Sequence, residues 1–316
     1  MKERAMVPEA EFESYYGRQI IKTPTWKTPD VPLYLFLGGM AGASAVLAEG
    51  AALTGNTSLE RVTRVVAAGG AGVGTVFLVH DLGRPERFLN MLRVFKPTSP
   101  LSVGSFILAP FASLASAAAA SQVTGRLPRL GRLAGVGAAF FGPPLVTYTA
   151  ALLANTAVPA WHEAHRELPF VFAGSAASAA GGMAMLLIPA AGNPPARHMA
   201  IAGAAVELVA AELLRKRLGM LAEPYEQGRS GALMKTATRL TAGAAVVSAI
   251  GRRSRVVSAA CGATYVVASA LTRFGVFEAG LASARDPKYT VIPQRERLRA
   301  RQTADHAPSE EPVAAG

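Results

Sequence analysis

Three carboxylates, Glu49, Glu207 and Glu212, stand inside stretches that are otherwise apolar. Charge in a hydrocarbon layer is costly, so such groups face a protein interior or a wet cavity and are functional by default. Glu207 near the middle of its run, Glu212 five residues later and Glu49 in the first run together suggest a proton path. The alternative is a pairing with a basic residue such as Arg239, or with a backbone group. A second set falls at one predicted depth, where apolar runs end: Tyr34, His80, Asp81, Tyr148, Asn155, Trp161, His162 and Glu163. These side chains can hydrogen-bond or titrate where an apolar layer meets water. Each also has a plainer use. Tyr34 and Trp161 fit an interfacial aromatic belt, Asp81 can cap a turn or pair with Arg84 or Arg87, and His162 beside Glu163 fits a solvated loop. Tyr148 is deeper, and its hydroxyl must find a partner.

The elements that position these groups follow from composition. The chain has 316 residues, 51% apolar and only 17% charged, with a net charge of +11 and a mean hydropathy of +0.28. Soluble domains run near 25% charged, so the natural solvent is a bilayer. Runs of about 20 apolar residues mark spanning helices, and eight are predicted, at 31–53, 62–79, 103–123, 133–154, 168–190, 198–214, 233–250 and 256–271. The seventh carries Lys235 and Arg239 in its first turns, which requires both to reach back to the headgroups. Residues 251–255 form a tight hairpin into the eighth. The expected fold is an all-α bundle of eight transmembrane helices over residues 31–277, with a polar segment at 1–30 and a polar tail at 278–316 whose end, from Asp305, is disordered.

Eight spans put both termini on one face, side A. Most of the Lys and Arg fall there, so side A is predicted to be cytoplasmic, with the chain in the cell membrane. Residues 1–32 lack an apolar core followed by a cleavage site, so insertion is expected through the first spanning helix. Small residues crowd the helices, among them Gly38, Gly39, Gly42, Gly69, Gly70, Gly72 and Gly74, and small faces let helices pack closely in lipid. The glycines of the second run lack the full dinucleotide spacing and any βαβ context. The basic excess suits lipid-facing loops, not nucleic acid. One cysteine, Cys261, excludes a thiolate-held iron–sulfur cluster within the chain. The five histidines lie near helix ends or outside the spans, so no transmembrane pair exists to ligate a haem.

Residues 80–100, between the second and third runs, mix charge, aromatics and three prolines, as expected of an interfacial loop with a short amphipathic helix. The wording is particular: Asp-Leu-Gly-Arg-Pro at 81–85, Arg-Phe-Leu-Asn-Met-Leu at 87–92 and Ser-Pro-Leu-Ser-Val-Gly-Ser at 99–105. With Tyr34 to Gly39, Tyr148 to Trp161 and Ser175 to Gly182, it resembles the NrfD and polysulfide-reductase membrane-subunit family across the hydrophobic part of the chain. The resemblance implies an eight-helix subunit that exchanges electrons between the quinone pool, menaquinone or ubiquinone, and an iron–sulfur protein serving a molybdenum-type catalytic subunit. It implies a quinone pocket among the first four helices with a helix-four tyrosine, which Tyr148 matches. Tyr34, His80, Asp81, Asn155, Trp161 and His162 are the other candidates. Arg84, Arg87, Arg93, Lys96 and Arg229, with residues 215–229, 273–278 and 286–289, are either the dock for the iron–sulfur subunit on side A or plain positive-inside anchors. The rival from another class is a secondary transporter, favoured by the Gly- and Pro-rich helices and buried Glu207 but lacking repeated halves.

Overall fold

The computed structural model describes residues 20–84, 86–189, 193–251 and 254–305. Pro85 of the Asp-Leu-Gly-Arg-Pro stretch, Arg252 and Arg253 of the predicted hairpin, the end of the fifth predicted run, most of the N-terminal segment and the predicted disorder beyond residue 305 lie outside them. The described residues are mostly helical and include no strands.

Eight long helices carry the fold: α1 (Asp30–Leu53), α2 (Thr57–Leu82), α4 (Pro100–Thr124), α5 (Pro128–Ala154), α7 (Leu168–Leu187), α8 (Pro194–Leu218), α10 (Gly228–Ile250) and α11 (Arg255–Arg285). Short helices α3 (Glu86–Met91), α6 (Pro159–Glu163) and α9 (Glu223–Glu226) lie in the connections, and α12 (Lys288–Asp305) follows. Local sequence explains the boundaries. Asn56, Ser99 and Ser254 cap α2, α4 and α11 by accepting from Leu59 N, Ser102 N and Val257 N. Proline opens α4, α5, α7 and α8, where its missing N–H costs nothing.

Each predicted run begins within one of the eight long helices. Six of them, α1, α2, α4, α5, α7 and α11, are long and apolar enough to cross a membrane by length and composition. The chain is an all-α polytopic membrane protein. Helices α8 and α10, of 25 and 23 residues, are as long but less apolar than these six.

Consecutive long helices pair through short connections, α1 with α2, α4 with α5, α7 with α8 and α10 with α11. The first two pairs form one four-helix group and the last two another, joined where α1 meets α7 and α11 and where α5 meets α7. Small residues set the spacing. A Cβ on Gly42 would lie 2.7 Å from Gly142 O, and one on Gly203 would lie 2.6 Å from Gly174 O. Without a hydrophobic drive in lipid, such backbone approach supplies the packing.

One expectation is overturned. The eighth run does not end at residue 271: α11 continues to Arg285, and residues 273–278 are helix, not a docking loop. Arg273 and Phe277 are fully buried and Val276 nearly so. The reason is that Arg273 finds partners inside the bundle, so its charge does not end the helix.

Candidate functional site

The side A ends of α1, α2, α4 and α5 gather four of the predicted residues. Asp30 opens α1 and is buried, and its Oδ2 lies 2.7 Å from His80 Nδ1 at the end of α2. The Asp30 side chain is 6% exposed and the imidazole 72% exposed. A buried carboxylate therefore orients a ring that can be reached from outside. The next residue, Asp81, accepts from the backbone N–H of Lys27 at 2.8 Å, and Lys27 Nζ donates to His80 O at 3.2 Å. Two contacts thus fasten the segment before α1 to the end of α2. Gly83 then closes α2 with a φ of 71°, the left-handed turn that glycine makes without strain.

One turn into α1 from Asp30, Tyr34 is buried and its ring packs toward Gly74 of α2. Tyr148 of α5 is half-buried and packs against the same core cluster, as do Phe77, Phe88 and Ile107. Gly104 explains its position, since any Cβ there would strike the Tyr148 ring. The Ser-Pro-Leu-Ser-Val-Gly-Ser stretch therefore does three things at once. Ser99 caps α4, Gly104 seats Tyr148, and the serines hold the loop: Ser102 Oγ donates to Val94 O and accepts from Lys96 N, and Ser105 Oγ donates to Met91 O.

Three other predicted residues lie elsewhere. Trp161 is fully buried, in a three-ring cluster with Trp26 and Phe277 whose centroids each lie 5.6 Å from its own, with Nε1 donating to Val276 O at 2.8 Å. It fastens α6 to α11. Tyr225 of α9 ties α9 to α6 by donating to Ala160 O. Asn155, at the end of α5, is exposed, and so is His162, whose Nδ1 lies 2.9 Å from Ala154 O.

The three carboxylates fall in separate surroundings. Glu207 is buried between α7, α8 and α11; its Oε1 accepts from Thr272 Oγ1 at 2.7 Å, and Oε2 has no hydrogen-bond partner among the described residues. Arg273, within electrostatic reach of it, donates through Nη2 to Phe172 O at 2.9 Å and lies 3.8 Å over the Phe172 ring. The pairing weighed with Arg239 is replaced by Thr272 and Arg273. Glu49 belongs to the other helix group at side B, 3.0 Å from Arg132 and close to buried Arg64, which donates to Gln122 Oε1 at 2.7 Å. Glu212, five residues from Glu207 and so on a different face of α8, pairs with Arg215 and Lys216.

Of the predicted docking residues, Arg84, Arg87, Arg93, Lys96 and Arg229 are all exposed. Arg87 donates to Leu82 O, and Arg229 lies 3.9 Å from Glu278. The side A connections are tied by charge. Arg217 grips Glu167 at 2.5 and 2.6 Å, which holds that carboxyl below its usual range. Lys288 Nζ, 2.8 Å from Glu223 Oε2, lowers the Glu223 carboxyl and is itself raised.

Asp30 is the residue that sequence reasoning missed, and Arg273, expected on the docking surface, is buried instead. Asp30 had one usable signal: it begins an apolar run whose antiparallel neighbour ends at His80, so the two must meet. Among the described residues, no group of three or more His, Cys, Asp or Glu is placed to hold a metal ion. The polysulphide reductase, NrfD family model matches residues 21–221. No curated protein matches the chain.

Proposed function

Because this chain belongs to the NrfD polysulphide reductase family, whose members are membrane subunits of respiratory oxidoreductase complexes, we propose that it binds a quinone at side A. In this reading it exchanges electrons between the quinone pool and a partner iron–sulfur protein, which serves a separate catalytic subunit. The observation that carries the proposal is the Asp30–His80 pair at the side A ends of α1 and α2, about one turn from Tyr34 and Phe77, which with Tyr148 belong to one hydrophobic cluster. Those side chains suit an apolar ring, and the imidazole suits a carbonyl or hydroxyl at the ring's rim.

A quinone carries two electrons and two protons per cycle. The chain's own residues supply the proton side of that chemistry. His80 can hold a proton on one ring nitrogen while Asp30 fixes the other, an arrangement that sets ring orientation and tautomer. Tyr148 can offer a hydroxyl, and Tyr34 and Phe77 keep water from the apolar side. Exposed Arg84, Arg87, Arg93 and Lys96 flank the site and suit an acidic partner surface.

All eight long helices span the membrane in this reading, with both termini cytoplasmic. Glu207, Glu212, Arg215, Lys216 and Arg217 of α8 have partners within the chain. Proton passage across the bundle is a separate proposal and rests on Glu207, the buried carboxyl at mid-helix.

The test is quinol turnover in membranes from cells expressing the whole complex. Asp30→Asn and His80→Ala are expected to slow it by about 10²- to 10⁴-fold, the usual worth of a positioned acid or base, while the partner subunits remain assembled. Full turnover in both variants would overturn the assignment of the site.

A further inference from the structure

A cavity of about 380 Å³ lies at the side A end of the second helix group, between α8, α9 and α10. This is within the range of small-molecule sites, about 300–1,000 Å³. Val171, Leu208, Met234 and Val276 make part of it apolar, and Arg215, Lys235 and Arg239 bring three cations to its wall.

The cations are not equivalent. Arg215 pairs with Glu212 and lies 3.6 Å from Glu226, and Glu212 also takes Lys216 at 3.4 Å. Both acidic residues of the wall are thus already engaged. Lys235 and Arg239 have neither ion pair nor hydrogen bond among the described residues. At 1.5 Å per residue they sit about 10 and 16 Å along α10 from Gly228. Four residues apart, they share one face about 6 Å from each other. Two unmatched charges at that depth in a spanning helix are costly, and an anion beside them removes the cost.

The anion must also suit the apolar part of the cavity. We propose that this cavity binds one anionic phospholipid, its phosphodiester headgroup held by Lys235 and Arg239 and an acyl chain lying along Leu208, Met234 and Val276. Basic pockets between spanning helices take such headgroups, and the cytoplasmic leaflet, to which side A is assigned, is rich in anionic lipid. Inorganic phosphate shares the headgroup chemistry but has no use for the apolar wall. Lys235, Arg239, Met234 and Val276 all lie beyond residue 221, outside the family match.

Native mass spectrometry of the delipidated protein in mild detergent, titrated with phosphatidylglycerol, phosphatidylcholine or inorganic phosphate, tests this. Phosphatidylglycerol should bind one per chain and ahead of phosphatidylcholine. Lys235→Gln with Arg239→Gln should weaken it about thirty-fold, from about five-fold for each basic group. Exchanging the two residues for Arg and Lys should restore binding, and Arg129→Gln, exposed at side B, should leave it unchanged. Should the double variant fail to fold, each single Gln variant should show its own five-fold loss. Equal binding of both lipids, equal binding by wild type and the Gln variants, or displacement by inorganic phosphate overturns the proposal. So does a protein helix, in place of lipid, crosslinked to the Thr238→Cys variant in native membranes.

Discussion

Replacing Arg273 with Ala removes the largest buried cation from the join between the two helix groups. The guanidinium donates to Phe172 O of α7 at 2.9 Å and to Leu35 O of α1 at 3.4 Å, and lies 3.8 Å above the Phe172 ring. The shorter bond, from a charged donor, is worth about 1.5–3 kcal/mol, and a desolvated cation over a ring about 2 kcal/mol. The change also removes the cation within electrostatic reach of buried Glu207, which keeps Thr272 as its hydrogen-bond partner. These effects overlap, since they describe one group, so the expected loss is about 2–4 kcal/mol. Glu207→Gln keeps the acceptor for Thr272 and should cost about 1 kcal/mol. If the two residues stabilise one another, the double variant falls short of additivity by about 1–3 kcal/mol. The assay is unfolding in mixed micelles, with the four proteins compared in one denaturant series. A loss below about 1 kcal/mol for Arg273→Ala, or additivity within about 0.5 kcal/mol, would refute the account of a coupled buried pair.

Two further outcomes follow from the side A geometry. Gly104→Val pushes the Tyr148 ring out of its seat and should destabilise the chain by about 1–3 kcal/mol while weakening quinone binding; Tyr148→Phe, which leaves the ring in place, should preserve stability, and equal stability for wild type and Gly104→Val would remove the packing argument. The attachment of α12 should depend on pH. The lowered Glu223 carboxyl contributes stability above its ordinary 4.5, lost as pH falls through its folded value, and the raised Lys288 contributes below its ordinary 10.5, lost as pH rises past its folded value. Protease cleavage near Asp286–Lys288 should therefore be slow between those limits and rise in acid; unchanged protection at pH 3 would count against the pairing.

How much of this could be read from residues alone depends on where each charge finds its partner. The run lengths located the eight long helices because apolar length is a local property, and the Ser and Asn caps were equally local. The expected short helix in the 80–100 loop appears as α3 for the same reason. The side A set was legible in part: His80 and Asp81 end α2, Tyr34 begins α1, and short connections bring helix ends together. Trp161 sits in a buried stack instead, because its partners Trp26 and Phe277 come from distant parts of the chain. Arg273 was the hardest to read. A hydropathy window treats an arginine as the end of a span, yet here its hydrogen bonds go to carbonyls on α1 and α7, 238 and 101 residues away. Lys235 and Arg239 show the complementary case. They were recognised as out of place within an apolar run, and the fold supplies no protein partner among the described residues. An internal partner turns a misplaced charge into a fastening between helices. Its absence turns the same kind of charge into a site for something the chain does not itself contain.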